Sequence, residues 1–172
     1  MESFMKIKEK LTSFQIIILG FAGVIVIGAL LLMCPVSSKA GIVTPFGKAL
    51  FTSTSAVCVT GLVVYDTASY WSYFGQGIIL ILIQIGGLGV ITVASFVTMI
   101  AGKKISLMQR QTMQNSLSVP QVGGIVKHMR FIFLTSFIVE ILGALLLLPV
   151  FVSRYGMGGI WMSFFHSVSA FC

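Results

Sequence analysis

Charged residues are scarce in this sequence. Only 9% of its 172 residues are Asp, Glu, Lys or Arg, while 57% are hydrophobic, and soluble domains carry about a quarter charged residues. The four acidic residues offer no carboxylate pair, and Cys34, Cys58 and Cys172 lack metal-ligand spacing. No Ser–His–Asp set is evident either. The composition therefore favours a membrane protein that is not an enzyme and carries no organic cofactor.

Three long apolar runs divide the chain. They cover residues 14–34, 74–102 and 131–152 and contain one charged side chain, Glu140. Each reaches the ~20 residues that cross ~30 Å of hydrocarbon, and the second exceeds that length, which predicts a tilted or projecting helix. Pro35 is expected to end the first helix, and residues 153–159 to form a glycine-rich loop. The predicted fold class is an all-α integral membrane protein.

The lysines and arginines predict the orientation in the membrane. Eight of the eleven lie in the N-terminal segment and in residues 103–130, whereas Lys39, Lys48 and Arg154 lie in the two opposite loops. Because positively charged loops stay in the cytoplasm, we expect a cytoplasmic N-terminus and a multi-pass topology. The net charge of +7 therefore indicates membrane topology rather than nucleic-acid binding.

A polar stretch rich in small residues separates the first two apolar runs. A short helix is predicted at residues 45–57, with a proline near its first turn, followed by Val59-Thr60-Gly61. Potassium channels aim the C-terminal end of such a helix at the ion and line the pore with the carbonyls of a similar strand. Gly61 can take a positive φ without steric cost. The stretch predicts a re-entrant pore loop; the alternative is a simple turn that contacts no ion.

An internal repeat extends this pattern. Residues 51–58, FTSTSAVC, match residues 165–172, FHSVSAFC, at five of eight positions. Upstream, Gly28 aligns with Gly143 and Pro35 with Pro149. The predicted unit is a span, a pore loop and a second span. We expect one unit in residues 1–102, a cytoplasmic linker in residues 103–130 and the first half of another unit in residues 131–172, as in a fragment of a longer protein.

These motifs together resemble the ion-translocating subunit of the Trk/Ktr/HKT potassium-uptake superfamily, most closely the bacterial KtrB type. The resemblance is carried by residues 54–62, 64–67, 84–89 and 167–172. It implies four linked repeats around one potassium path, each with one filter glycine, here Gly61. The first filter would consist of Cys58, Val59, Thr60, Gly61 and Leu62. The second pore helix and the start of its filter would include Ser169, Ala170, Phe171 and Cys172.

The same resemblance implies the setting and partners of the protein. It places the chain among lipids of the bacterial plasma membrane, as part of a homodimer on a cytosolic ring of nucleotide-binding subunits of the KtrA/TrkA type. The transported ion would be potassium, with sodium as a candidate activator. The remaining filters and the gating loop of the family would follow Cys172, so residues 1–172 alone are expected not to conduct.

Two other functions compete with this interpretation. A two-span subunit of a tetrameric potassium channel would also carry a pore loop, although such subunits contain one loop each and this chain contains two similar segments. A non-transporting membrane scaffold would need the loops only for packing, and it predicts that Gly61 tolerates alanine.

Several polar residues admit two roles. Asp66 could concentrate cations at the pore mouth or simply cap a turn. Glu140, inside an apolar span, is expected to make a structural hydrogen bond or to lie near the membrane edge, and the alternative is a role in permeation. Gln84 is expected to bond a neighbouring helix. The glycines of residues 84–89 and the hydroxyls of residues 52–55 predict close helix packing.

The aromatic side chains after the pore loop suggest a further feature. Tyr70 and Trp71 follow the loop just before the second apolar run. Tyrosine and tryptophan are enriched where membrane meets water. They are therefore predicted to form an interfacial belt.

Overall fold

A computed structural model describes residues 13–90, 92–93 and 125–172. The helices of this part are α1 Ser13–Met33, α2 Phe46–Val57, α3 Thr67–Tyr70, α4 Tyr73–Leu88, α5 Ile125–Tyr155 and α6 Gly158–Phe171. The predicted all-α membrane fold is confirmed. Most of the predicted linker, residues 103–130, lies outside the described residues, and its last six residues belong to α5.

Within the described residues, two helices are long and apolar enough to cross a membrane, at Gln15–Met33 and Arg130–Tyr155. The 21 residues of α1 span about 30 Å at 1.5 Å per residue, which matches the hydrocarbon thickness. Many of its large side chains face outward, such as Ile18, which is 66% exposed. Pro35 begins a short 3-10 turn directly after α1, as expected of a residue without a backbone N–H.

The helix of the second predicted span, residues 74–102, is interrupted at Gly89 in the described part of the chain. α4 ends at Leu88, and Gly89 has φ 84° and ψ 131°, which lie outside the helical region. The backbone N–H of Val93 donates to the Gly89 carbonyl, so a helical turn resumes after the break. Glycine permits this break because it has no Cβ. Residues 94–102 lie outside the described part.

The connection between α5 and α6 is shorter than the predicted loop at residues 153–159. Only Gly156 and Met157 separate the two helices, and Gly156 makes the turn with φ 60°. Pro149 lies inside α5, whereas its aligned counterpart Pro35 follows the end of α1. A proline removes one helical hydrogen bond, and α5 continues beyond it. The two copies therefore end their first helices differently.

The core lies where α2 packs against α1 and α4. Its buried side chains include Leu32, Ala49, Val57, Trp71, Ile78 and Leu82. Trp71 is fully buried, so the predicted interfacial belt is wrong for this residue. Its backbone pairs with Ser38 in an antiparallel bridge, which draws the indole into the core.

Two connecting segments fasten the ends of α1 and α4 together. The Lys39 N–H donates to the Tyr70 carbonyl and the Ser72 N–H to the Ser37 carbonyl, both at 2.9 Å. The Ser72 hydroxyl also donates to the Val36 carbonyl at 2.6 Å. Both ends of the segment between α1 and α4, which contains the predicted pore loop, are thereby held beside the same helix ends.

Candidate functional site

The hydroxyl groups of α2 all donate to backbone carbonyls, and that of Ser53 ties this short helix to α1. The Ser53 hydroxyl is fully buried and donates to the Ile25 carbonyl of α1 at 2.7 Å. Thr52 and Thr54 donate to carbonyls one turn earlier in their own helix. Their side chains are thus occupied by backbone acceptors, which favours the packing role over direct ion binding.

The C-terminal end of α2 closes in a Schellman motif. The Thr60 N–H donates to the Ser55 carbonyl at 3.0 Å, and the Val59 N–H donates to the Ala56 carbonyl at 3.3 Å. This is the 6→1 and 5→2 pattern, and it requires a left-handed residue at the position of Val59, where glycine is usual. The motif turns the chain sharply out of α2 and into the candidate filter strand.

Positive φ angles occur at two alternate residues of this strand. Gly61 has φ 70°, as expected from the sequence, and Val59 has φ 54°. Val59 is the one non-glycine residue with positive φ in the described part of the chain. A β-branched residue in this region is strained by about 1–3 kcal/mol, and such strain clusters at functional sites.

Replacing Val59 with glycine is expected to stabilise the protein by about 1 kcal/mol, because glycine takes the left-handed conformation without strain. Thermal unfolding of the detergent-solubilised protein measures the change. Val63→Gly is the matched control, since Val63 is also exposed but its φ is not positive. An equal increase in melting temperature with both variants, or none with Val59→Gly, would show that Val59 is not strained.

The carbonyl groups of the strand differ in their partners. The Ser55 hydroxyl donates to the Leu62 carbonyl at 2.6 Å and accepts a hydrogen bond from the Thr60 hydroxyl at 3.0 Å. Within the described part of the chain, the carbonyls of residues 58–61 accept no hydrogen bond from the protein. In the described part of the chain, four of the five predicted filter carbonyls therefore have no protein donor, while that of Leu62 is turned toward α2.

A cleft of about 150 Å³ borders the strand. Its lining brings together α2, the strand and α6, with Thr52, Ser55, Val59, Gly61, Phe165 and Ser169 among its residues. The first predicted filter and Ser169 of the second predicted pore helix thus share one cavity. Ala170 and Phe171 are exposed, and Cys172 is partly buried.

The second copy repeats the anchoring contact of the first. The Ser167 hydroxyl donates to the backbone carbonyl of Glu140 at 2.6 Å, as Ser53 donates to Ile25. A Cβ on Gly143 would overlap the Ser167 hydroxyl, and one on Gly28 would lie 2.5 Å from that of Ser53. Ser53 and Ser167 therefore occupy equivalent positions in the two copies, and so do Gly28 and Gly143. The sequence alignment predicted the paired glycines but not the hydrogen bonds.

Asp66 caps the short helix α3. Its carboxylate accepts a hydrogen bond from the Ser69 N–H at 2.8 Å. Hydrogen bonds from Ser69, together with the nearby charge of Lys39, hold the pKa of this exposed carboxyl below its usual value. Of the two roles predicted for Asp66, capping is the one with a direct contact, although the charged group also borders a 500 Å³ cleft beside the loop.

Replacing Asp66 with asparagine is expected to leave potassium uptake within about twofold of the parent at physiological salt, because asparagine also caps helices and an exposed charge is screened. Asp66→Ala removes the cap and should lower the melting temperature. Uptake assays at low and high ionic strength provide the measurement. A large, salt-sensitive loss of uptake with Asp66→Asn would instead assign the charge to the pore mouth.

Two glutamines of α4 make contacts that the sequence did not fully reveal. Gln84 donates to the buried carboxyl of Glu140 at 2.8 Å, so the predicted interhelical bond is present and its partner is now identified. Gln76 accepts a hydrogen bond from the Trp161 indole at 2.6 Å. The sequence signal for both was a long polar side chain in an apolar run.

Comparisons with known proteins connect the chain to cation transport proteins. A family model described as TrkH, cation transport protein, matches residues 6–172. The chain is 44% identical over 158 residues to the Ktr system potassium uptake protein B of Bacillus subtilis, covering 91% of this chain and 35% of that protein. It is 40% identical over 168 residues to the potassium/sodium uptake protein NtpJ of Enterococcus hirae, covering 97% and 37%. The chain therefore spans little more than a third of the length of these curated relatives.

Proposed function

The chain belongs to the TrkH family of cation transport proteins, and from this premise we propose that it forms the first repeat and half of the second repeat of a potassium-uptake transporter. The resemblance inferred from the motifs is confirmed by that membership. Transport is not an enzymatic activity, so the prediction that the chain is not an enzyme is confirmed as well.

The free carbonyls of residues 58–61 carry this proposal. A potassium ion loses its hydration shell in a filter, and backbone carbonyl oxygens replace the lost water. Here four successive carbonyls that have no donor among the described residues follow the C-terminal end of α2, where the helix dipole is negative. We assign first-repeat ion coordination to Cys58, Val59, Thr60 and Gly61 and give Leu62 the role of anchoring the strand to Ser55.

The repeated serine and glycine contacts support a second filter after Cys172. Since a single re-entrant strand cannot surround an ion, and irregular backbone inside a membrane must be buried or line a wet cavity, we propose further repeats beyond this chain. The same duplication speaks against a subunit with a single pore loop. Permeation would be passive, along the potassium gradient and the membrane potential.

The proposed membrane orientation, assembly, partner and accompanying ion are inferred from the family and from the names of the relatives. The N-terminus would be cytoplasmic, the outer faces of α1 and α5 would meet lipid, and the longer transporter would act as a homodimer. The name of one relative assigns it to a Ktr system, which supports a cytosolic nucleotide-binding partner of the KtrA/TrkA type. The name of another includes sodium, so sodium is proposed as an accompanying or activating ion.

Growth of a potassium-uptake-deficient bacterium at low external potassium tests this function. The longer transporter that contains this chain should restore growth, alone or with a cytosolic partner, and should carry rubidium, a potassium substitute, into proteoliposomes. Residues 1–172 alone should carry none, because further filter segments are required. A transporter that reaches the membrane with its partner and still moves no potassium would favour the scaffold alternative.

A further inference from the structure

Three polar residues connect the two repeats at both ends of α6. We infer that Gln76, Gln84 and Glu140 are positioning residues that hold the second pore helix, and therefore the start of the second filter, in register with the first. This inference rests on the proposed function. It concerns how the two filter segments are aligned rather than which groups touch the ion.

The first connection lies at the C-terminal end of α6. The Gln84 amide donates to the Glu140 carboxyl at 2.8 Å. The Cys172 thiol lies 3.5 Å from the Gln84 amide oxygen and 3.9 Å from the same Glu140 oxygen. Cys172 aligns with Cys58, the first residue of the first filter. The cluster thus contacts the residue at which the second filter would begin.

Glycine lets α4 approach Cys172 this closely. A Cβ on Gly87 would lie 2.8 Å from both Cβ and Sγ of Cys172, which leaves no room for a larger residue. The neighbouring Gly86 makes an equivalent approach to the Val57 carbonyl at the end of the first pore helix. Successive glycines of α4 therefore contact the C-terminal ends of both pore helices.

The second connection lies near the start of α6. The Trp161 indole donates to the Gln76 amide oxygen at 2.6 Å. The amide nitrogen of Gln76 donates to the carbonyls of Thr67 and Trp71, at 3.2 and 3.1 Å. These two residues follow the first filter strand. Gln76 thereby links the exit of the first pore loop to the beginning of the second pore helix.

Burial makes the first connection, between Gln84 and Glu140, sensitive to substitution. Glu140 is 1% exposed and lies in an apolar span, where ionisable residues usually face protein and serve a function. Within the described residues no lysine or arginine pairs with it, and its carboxyl instead contacts Gln84 and Cys172. A buried group that loses such a partner is costly, whereas apolar replacement of both partners can be nearly neutral. Because the single and double variants should differ in stability, an effect on the alignment of the two filter segments can be distinguished from a loss of stability.

The test measures the potassium-to-sodium flux ratio of the longer transporter in proteoliposomes. Glu140→Leu should lower the ratio about fivefold, the equilibrium effect of losing one net hydrogen bond. Glu140→Gln keeps an acceptor for Gln84 and should retain most of the ratio. The double variant Gln84→Met with Glu140→Leu leaves neither side chain unpaired, so it should melt close to the parent temperature and still show the lowered ratio.

The flux ratio separates the outcomes because a merely structural role scales both ion fluxes together. A lowered ratio in the stable double variant, with rescue by Glu140→Gln, supports positioning. A parent-like ratio in the double variant overturns the inference and leaves the proposed function intact. A parent that reaches the liposomes and carries no potassium overturns the proposed function, and this inference with it.

Discussion

Replacing Gly61 with serine is expected to raise the external potassium needed for half-maximal growth by about tenfold or more, which corresponds to about 1.4 kcal/mol or more. Gly61 has φ 70°, and no other atom lies within 4 Å of a Cβ built on it. The serine would therefore clash with nothing in the described chain. It would be strained by about 1–2 kcal/mol in the left-handed conformation. Relief of that strain turns the Gly61 carbonyl, and its neighbours, away from the ion.

Gly41→Ser is the matched control for this experiment. Gly41 has φ 67° and equally open surroundings, so serine incurs the same backbone strain there, outside the candidate filter. The growth assay should show a potassium requirement close to that of the parent for Gly41→Ser. Equal behaviour of the two variants would remove Gly61 from the ion path and would favour the scaffold interpretation.

Replacing Gly86 with alanine is expected to cost about 1–3 kcal/mol of stability, the usual range for overpacking a closely packed site. The added Cβ would overlap the carbonyl oxygen of Val57. This obstacle is backbone at the end of α2, the proposed pore helix, and it cannot rotate away as a side chain could. Either α4 or the end of α2 must shift, so potassium selectivity should decrease together with the melting temperature.

Gly77→Ala, in the same helix, is the control that distinguishes the close contact at Gly86 from the general preference of helices for alanine over glycine. Apart from its chain neighbours and the backbone of its own helix, no described atom lies within 4 Å of a Cβ built on Gly77, and alanine is favoured over glycine within a helix by up to about 1 kcal/mol. Gly77→Ala should therefore leave the melting temperature unchanged or raise it. If both variants melt alike, the close approach of α4 to the pore helix does not contribute to stability.

Local sequence signals predicted the main elements well. The first span was expected at residues 14–34 and forms Ser13–Met33, because an uninterrupted apolar run followed by proline leaves little choice. The predicted pore helix at residues 45–57 forms Phe46–Val57. The positive φ of Gly61 was likewise expected from glycine beside a short helix.

Features that depend on tertiary contacts could not be predicted in the same way. Valine disfavours a left-handed conformation, so nothing in the sequence indicated that Val59 would close the Schellman motif. Gly89 permits a helix break without requiring one, which is why the second span seemed continuous. Trp71 suits a membrane interface by composition, and its burial depends on tertiary contacts, namely its backbone pairing with Ser38 and its packing in the core.

Anomalous diffraction from crystals of the longer transporter soaked in rubidium tests the central claim most directly. Rubidium substitutes for potassium and scatters anomalously. The account predicts a peak in direct coordination with carbonyl oxygens of Cys58, Val59, Thr60 and Gly61, and no coordination by the Leu62 carbonyl that Ser55 engages. Rubidium peaks along the transport path that avoid this strand, in a protein that still transports potassium, would contradict it.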